Sequence, residues 1–97
     1  MRIIARPKLI AFGERFPDAK AQLAAWWAEV KHAQWETPAA IEAQYRNASI
    51  LKDGRVVFNL CGNKYRLIVK FDYRKRIGFV RFIGTHREYD GIDAEEV

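Results

Sequence analysis

Residues 55–84 read RVVFNLCGNKYRLIVKFDYRKRIGFVRFIG, and the fold follows from this stretch. Apolar residues recur at every second position, β-branched and aromatic types are enriched, and turn signals fall at Asp53-Gly54, Gly62-Asn63 and residues 72–75. A period of two broken at such short intervals predicts three strands, at about residues 55–61, 64–72 and 76–84. The connections are too short for a parallel crossover, so the three form an antiparallel meander. In the middle strand Tyr65, Leu67, Val69 and Phe71 point one way and Lys64, Arg66, Ile68 and Lys70 the other. The first set, joined by Val56, Phe58, Leu60, Val80 and Phe82, is expected to pack on helices. The second, with Asn59 beside Arg66, is expected to form a basic, wet face.

Upstream of residue 48 the period lengthens to three or four. After a short apolar start at residues 1–4, Pro7 suits a first helical turn, and Leu9, Phe12 and Phe16 follow at near-helical spacing up to Pro17. Asp18 is read as the cap of a second, longer helix whose apolar stripe is Leu23, Trp26, Trp27 and Val30. Thr37 before Pro38 signals the cap and first position of a third, short helix carrying Ile41 and Tyr45. Trp26, Trp27 and Trp35 are read as core or as a partner interface, because two of them lie on the stripe of the main helix.

The expected class is therefore α+β, with N-terminal helices packed on one face of a small twisted antiparallel sheet. The 97 residues are read as one domain: a first strand and helices at 1–47, the sheet at 48–84, and a C-terminal motif with an acidic tail at 85–97. With 49% hydrophobic and 13% aromatic residues, one core can close without disulfides or metals. A single cysteine, Cys61, has no internal partner, and His32 and His86 stand far apart, so neither a disulfide nor a metal site is expected. No apolar run reaches membrane-span length and no signal-peptide core opens the chain, which makes the cytoplasm the expected compartment.

A net charge of +5 conceals a steep asymmetry. Residues 1–54 carry eight Lys/Arg against six Asp/Glu, residues 55–87 carry nine against one, and residues 88–97 carry none against five. A block so basic steers polyanions toward its surface, and the acidic tail is placed to shield it in cis. Lys70, Arg74, Lys75 and Arg76 read first as decoration of a solvated face. Arg66 differs, because it sits mid-strand on a rigid element where its planar fork can hold a phosphate in fixed geometry. His86 emerges where the last strand ends, beside Arg87, and can titrate near neutral pH.

Two blocks carry a resemblance. Residues 57–68, VFNLCGNKYRLI, followed by residues 84–90, GTHREYD, resemble the HigB family of toxins within the RelE-like superfamily. The likeness spans nearly the whole chain, including the Arg6-Pro7-Lys8-Leu9 opening and the Trp-rich second helix. It implies a RelE-like microbial ribonuclease fold and an mRNA interferase that cuts translated messages in the ribosomal A site. It also implies silencing by a HigA-like helix-turn-helix antitoxin, with operator DNA bound only through that antitoxin.

Residue by residue, the resemblance makes Arg66 the group that stabilises the scissile phosphate. His86 becomes the acid for the leaving oxygen, and Tyr89 a neighbour that stacks on a base or assists proton transfer. Asn59, Asn63, Lys64, Lys70, Arg81 and Arg87 become the candidate RNA contacts. The implied chemistry is attack by the RNA 2′-hydroxyl on the adjacent phosphate, which calls for no metal, cofactor or protein nucleophile, so Cys61 is left as a small tolerated residue. One departure stands out: where related toxins have lysines before the catalytic arginine, this chain has Val57-Phe58-Asn59, and the general base stays unassigned. The competing class is a non-catalytic RNA- or ribosome-binding module that blocks translation without cutting. It is distinguished by its indifference to loss of His86.

Overall fold

The computed structural model describes residues 1–97. Its elements run β1 (Arg2–Ile4), α1 (Arg6–Arg15), α2 (Pro17–His32), α3 (Pro38–Gln44), β2 (Ser49–Ile50), β3 (Arg55–Leu60), β4 (Tyr65–Asp72), β5 (Ile77–Thr85) and α4 (His86–Asp90). The expected meander is present as β3-β4-β5, each pair antiparallel. The sheet, however, has five strands in the order β1-β5-β4-β3-β2, and β1 lies parallel to β5. It is thus mixed and not purely antiparallel. The α1-to-β4 chain that separates β1 from β5 is ample for the crossover a parallel pair requires.

Proline sets the helix starts. Pro7 and Pro17 occupy the first turns of α1 and α2, where a missing N–H costs nothing. Phe16 ends one helix and precedes the next, and no side chain caps α2. The reading of Asp18 as its cap is corrected here: with Pro17 already helical, Asp18 falls inside the first turn, and its carboxylate reaches out to β4 instead. Thr37 does cap α3, accepting the Ala40 N–H at 3.3 Å.

The core lies between the helices and one face of the sheet. Leu9 and Phe12 from α1, Leu23, Trp26 and Val30 from α2, and Ile41 from α3 are buried against Phe58, Leu67, Val69 and Phe71. The Trp26 and Phe58 rings meet edge to face at 5.3 Å, and Phe58 continues to Phe71 at 6.2 Å. Trp27 is not in that core. It is half-buried, under the Arg6 guanidinium at 3.7 Å and the Lys31 ammonium at 4.3 Å.

A β-bulge changes the face of half of β5. Ile68 pairs with Phe82 but Val69 pairs with Val80, leaving Arg81 as an extra residue without a partner on β4. One extra residue inverts the alternation beyond it. Val80 therefore stays in the core as expected, while Ile83 takes the core-facing place assigned to Phe82. Phe82 moves to the opposite face, where its ring lies 6.4 Å from that of Tyr89.

That opposite face is only partly the wet surface expected. α4 packs on β4 and β5, and the C-terminal tail turns back so that the Val97 carbonyl accepts from Arg55 Nε at 2.9 Å and Glu95 pairs with Lys52 at 3.6 Å. Val57 and Ile68, on the same face, are buried. The tail meets the basic block through the Val97 oxygen on Arg55, while its carboxylate pairs with Lys or Arg, Glu95 with Lys52 and Glu88 with Arg15, lie outside that block. No helix is long and apolar enough to cross a membrane.

Candidate active site

The site gathers where β4 begins and β5 ends. Register sets Asn59, Arg66 and Gly84 side by side on three adjacent strands. Gly84 leaves room that a side chain would fill: a Cβ there would lie 2.6 Å from the Phe82 ring and 3.2 Å from Glu88 Cβ. Its bareness lets α4 turn in directly over Arg66.

Arg66 is half-buried and held from two sides. Its Nη1 donates to the Asn63 carbonyl at 2.9 Å, and its guanidinium carbon lies 5.5 Å from the centre of the Tyr89 ring. One donor is thereby engaged and the guanidinium plane is steadied, while the remaining N–H groups are free for an anion. Asn59 is turned aside, its amide donating to the Asn47 carbonyl at 3.0 Å.

His86 opens α4. Its backbone N–H donates to the Lys64 carbonyl at 2.9 Å, and its Nδ1 stands 3.3 Å from Asp90 Oδ2, one helical turn on. Thr85 and Glu88 close a reciprocal capping box at the same terminus: Thr85 Oγ1 accepts the Glu88 N–H at 3.1 Å, and Glu88 Oε1 accepts the Thr85 N–H at 2.9 Å. Glu88 also meets Arg15 of α1 at 3.4 Å. The backbone N–H of Thr85, helped by the Arg15 charge, holds the Glu88 carboxyl below its usual range. A helix of five residues has little stability of its own, so these contacts are what set its angle.

Lys64 is placed differently from Arg66. Its ammonium meets Asp18 Oδ2 at 2.6 Å, on the helix side of the sheet, and Asp18 Oδ1 accepts the Tyr65 hydroxyl at 2.6 Å. The Asp18 carboxyl is pulled below its ordinary value, first by the Lys64 hydrogen bond and then by that of Tyr65. Lys64 and Tyr65 are correspondingly raised, each chiefly by its bond to Asp18.

The remaining candidates are dispersed. Lys70 lies four residues beyond Arg66 on the same face, about 13 Å at strand rise, and lines a shallow hollow of about 680 Å³ with Arg74 and Arg81. Arg81, on the bulge, also borders a cleft of about 420 Å³ between α1 and β5, with Lys8, Arg15, Phe12 and Phe82. Arg87 is exposed on α4. The structure thus brings together Arg66, Tyr89, Asn63 and the start of α4, and leaves Lys70 and Arg81 as outlying cations. No three His, Cys, Asp or Glu side chains converge as a ligand set.

Sequence reasoning missed Asp18, Gln22 and Arg15 as supports of the site. Pro17 was the available signal for the first, since a residue after a helix-starting proline is already past the cap position.

The profile of a family described as HigB_toxin, RelE-like toxic component of a toxin-antitoxin system, matches residues 19–92. The mRNA interferase toxin HigB of Escherichia coli (strain K12) is 26% identical over 96 residues, covering 97% of this chain and 92% of the relative. The mRNA interferase HigB proteins of Escherichia coli O157:H7 and Shigella flexneri are similar to the same extent. Arg66, His86 and Tyr89 all fall within the matched region.

Proposed function

Because this chain belongs to the HigB family of RelE-like toxins, we propose that it is an endoribonuclease that cuts messenger RNA during translation. The observation that carries this reading is the poise of Arg66: a strand arginine fastened to the Asn63 carbonyl, lying over Tyr89, with donors to spare. Such a fork meets the scissile phosphate and gains strength as charge builds on it in the transition state.

The reaction is transesterification within the RNA. The 2′-hydroxyl oxygen attacks the adjacent phosphorus as its proton departs to a base. The bond to the 5′ oxygen breaks, and that oxygen takes up a proton, giving a 2′,3′-cyclic phosphate and a free 5′-hydroxyl. The substrate brings its own nucleophile and no oxidant or metal enters the balance. The protein's part is in-line positioning, charge stabilisation by Arg66 and proton donation by His86, whose Nδ1 stands 3.3 Å from Asp90 Oδ2. Tyr89 offers a ring on which a splayed base can stack.

A toxic component of a toxin-antitoxin system has an antitoxin as partner. We assign that role to a HigA-like helix-turn-helix protein, place cleavage in the ribosomal A site, and place the reaction in the cytoplasm. The test is primer-extension mapping of a reporter message translated with the wild-type protein, Arg66→Ala and His86→Ala, with folding of both variants confirmed first. Discrete cuts within the coding region that disappear in both variants support the reading. Blocked translation with an intact message replaces it with a non-catalytic binding module.

A further inference from the structure

Both halves of the candidate site hang from one turn. The Asn63 carbonyl holds the Arg66 guanidinium and the Lys64 carbonyl holds the His86 backbone N–H, each at 2.9 Å. That turn is intrinsically unfavourable. Cys61, Gly62 and Asn63 have successive φ values of 51°, 59° and 76°, and only one of them is glycine. Left-handed backbone costs a non-glycine residue roughly 1–2 kcal/mol, so such a conformation persists only where its surroundings over-determine it.

The surroundings are the first turns of α2. Asp18 binds Lys64 Nζ and the Tyr65 hydroxyl at 2.6 Å each, and its carbonyl accepts the Cys61 thiol at 3.5 Å. Gln22, one helical turn further on, accepts the Cys61 backbone N–H at 2.8 Å. Three contacts from two residues of one helix therefore brace the strained 61–64 turn at both ends, and a fourth holds Tyr65, where β4 begins.

We propose that Asp18 is a positioning residue for the cleavage reaction: with Gln22 it clamps the 61–64 turn to α2 and thereby fixes the Arg66 guanidinium and the His86 end of α4. The inference rests on the ribonuclease reading above. Asp18 lies one position before the region that the family profile matches. Magnitudes separate this role from simple stabilisation. The side chains of Asp18 and Lys64 are 44% and 62% exposed, and exposed ion pairs contribute little to folding. A displacement of about 1 Å in a group that meets the transition state, by contrast, can cost on the order of 100-fold in rate.

Asp18→Asn keeps the shape and one acceptor for Tyr65 while removing the charge that holds Lys64. Single-turnover cleavage of a translated reporter message should fall about 10- to 100-fold, with the toxin concentration for half-maximal rate unchanged. In parallel, the Arg66 guanidinium N–H signals in the NMR spectrum of the free protein should shift and broaden. An unchanged rate overturns the proposal, and so does a reduced rate with unmoved Arg66 signals, which would make Asp18 a general support. If the wild type leaves messages intact, the ribonuclease reading has failed by itself. The Arg66 signals then decide alone: their broadening in Asp18→Asn sustains the clamp, and their constancy removes it.

Discussion

The Arg66 guanidinium lies over the ring of Tyr89, 5.5 Å from carbon to ring centre, although one residue belongs to β4 and the other to the short helix that follows β5. A half-buried contact of this kind is worth about 1 kcal/mol, too little to define the fold but enough to bias one side chain's orientation. It is the ring, and not its hydroxyl, that makes this contact. Removing it and removing only its hydroxyl therefore have different consequences.

Tyr89→Phe is expected to retain cleavage within a few-fold, because the platform under Arg66 survives, whereas Tyr89→Ala is expected to lose about 10-fold or more. Rates on a translated reporter distinguish the two. A severe loss in Tyr89→Phe would instead assign the hydroxyl a part in proton transfer.

Arg66→Lys is expected to behave almost like Arg66→Ala. A point charge cannot both donate to the Asn63 carbonyl and fork onto a phosphate, and loss of one preorganised donor typically costs about 10²–10³ in rate. Cleavage assays on both variants, with circular dichroism to confirm folding, check this.

His86→Ala is expected to reduce cleavage by about 10²–10⁴-fold, the usual worth of a positioned proton donor. Urea titration should show little change in stability. The imidazole is more than half exposed, and the structural anchor at this position is the backbone N–H bonded to Lys64.

Gly84→Ala is expected to destabilise the fold by about 1–3 kcal/mol, the range for forcing atoms into occupied space, because the new methyl would stand 2.6 Å from the Phe82 ring. Urea midpoints measure the loss, and cleavage should fall as well, since the new methyl also crowds Glu88 Cβ of α4 at 3.2 Å and so disturbs the helix that carries His86 and Tyr89.

The Asp18 clamp is expected to fail in acid. A carboxyl whose folded pKa is depressed adds stability that is fully present above its unfolded value and fades as pH falls through the folded one. Lys64 and Tyr65 are raised, so their share is lost at the alkaline end, as pH climbs through their folded values. Because the pair is exposed, the difference in melting temperature between wild type and Asp18→Asn should be small, at its widest near neutrality and closing below the ordinary carboxylate range. A gap that persists in strong acid would mean that the carboxylate charge is not what holds the turn.

What the sequence determined by itself is whatever depends on local period. The faces of β4 were readable because alternation along one unbroken strand needs no knowledge of its neighbours, and Arg66 was placed correctly for that reason. Helix starts at Pro7 and Thr37-Pro38 were equally legible, since proline and the capping hydroxyl act within a single turn, whereas the start at Pro17 was misread, because Asp18 reads as a cap although it lies inside the first turn. Tertiary structure alone decided the rest. β1 chooses β5 through pairing across more than seventy residues, and the bulge at Arg81 that turns Phe82 outward exists only because Val80 and Phe82 meet consecutive residues of another strand. Trp26 and Trp27 share a stripe in sequence, yet only Trp26 meets the sheet, because helix rotation is set by the packing partner. Asp18 found its role in the same way: what a carboxylate binds depends on which turn folds against it, and that turn is more than forty residues away.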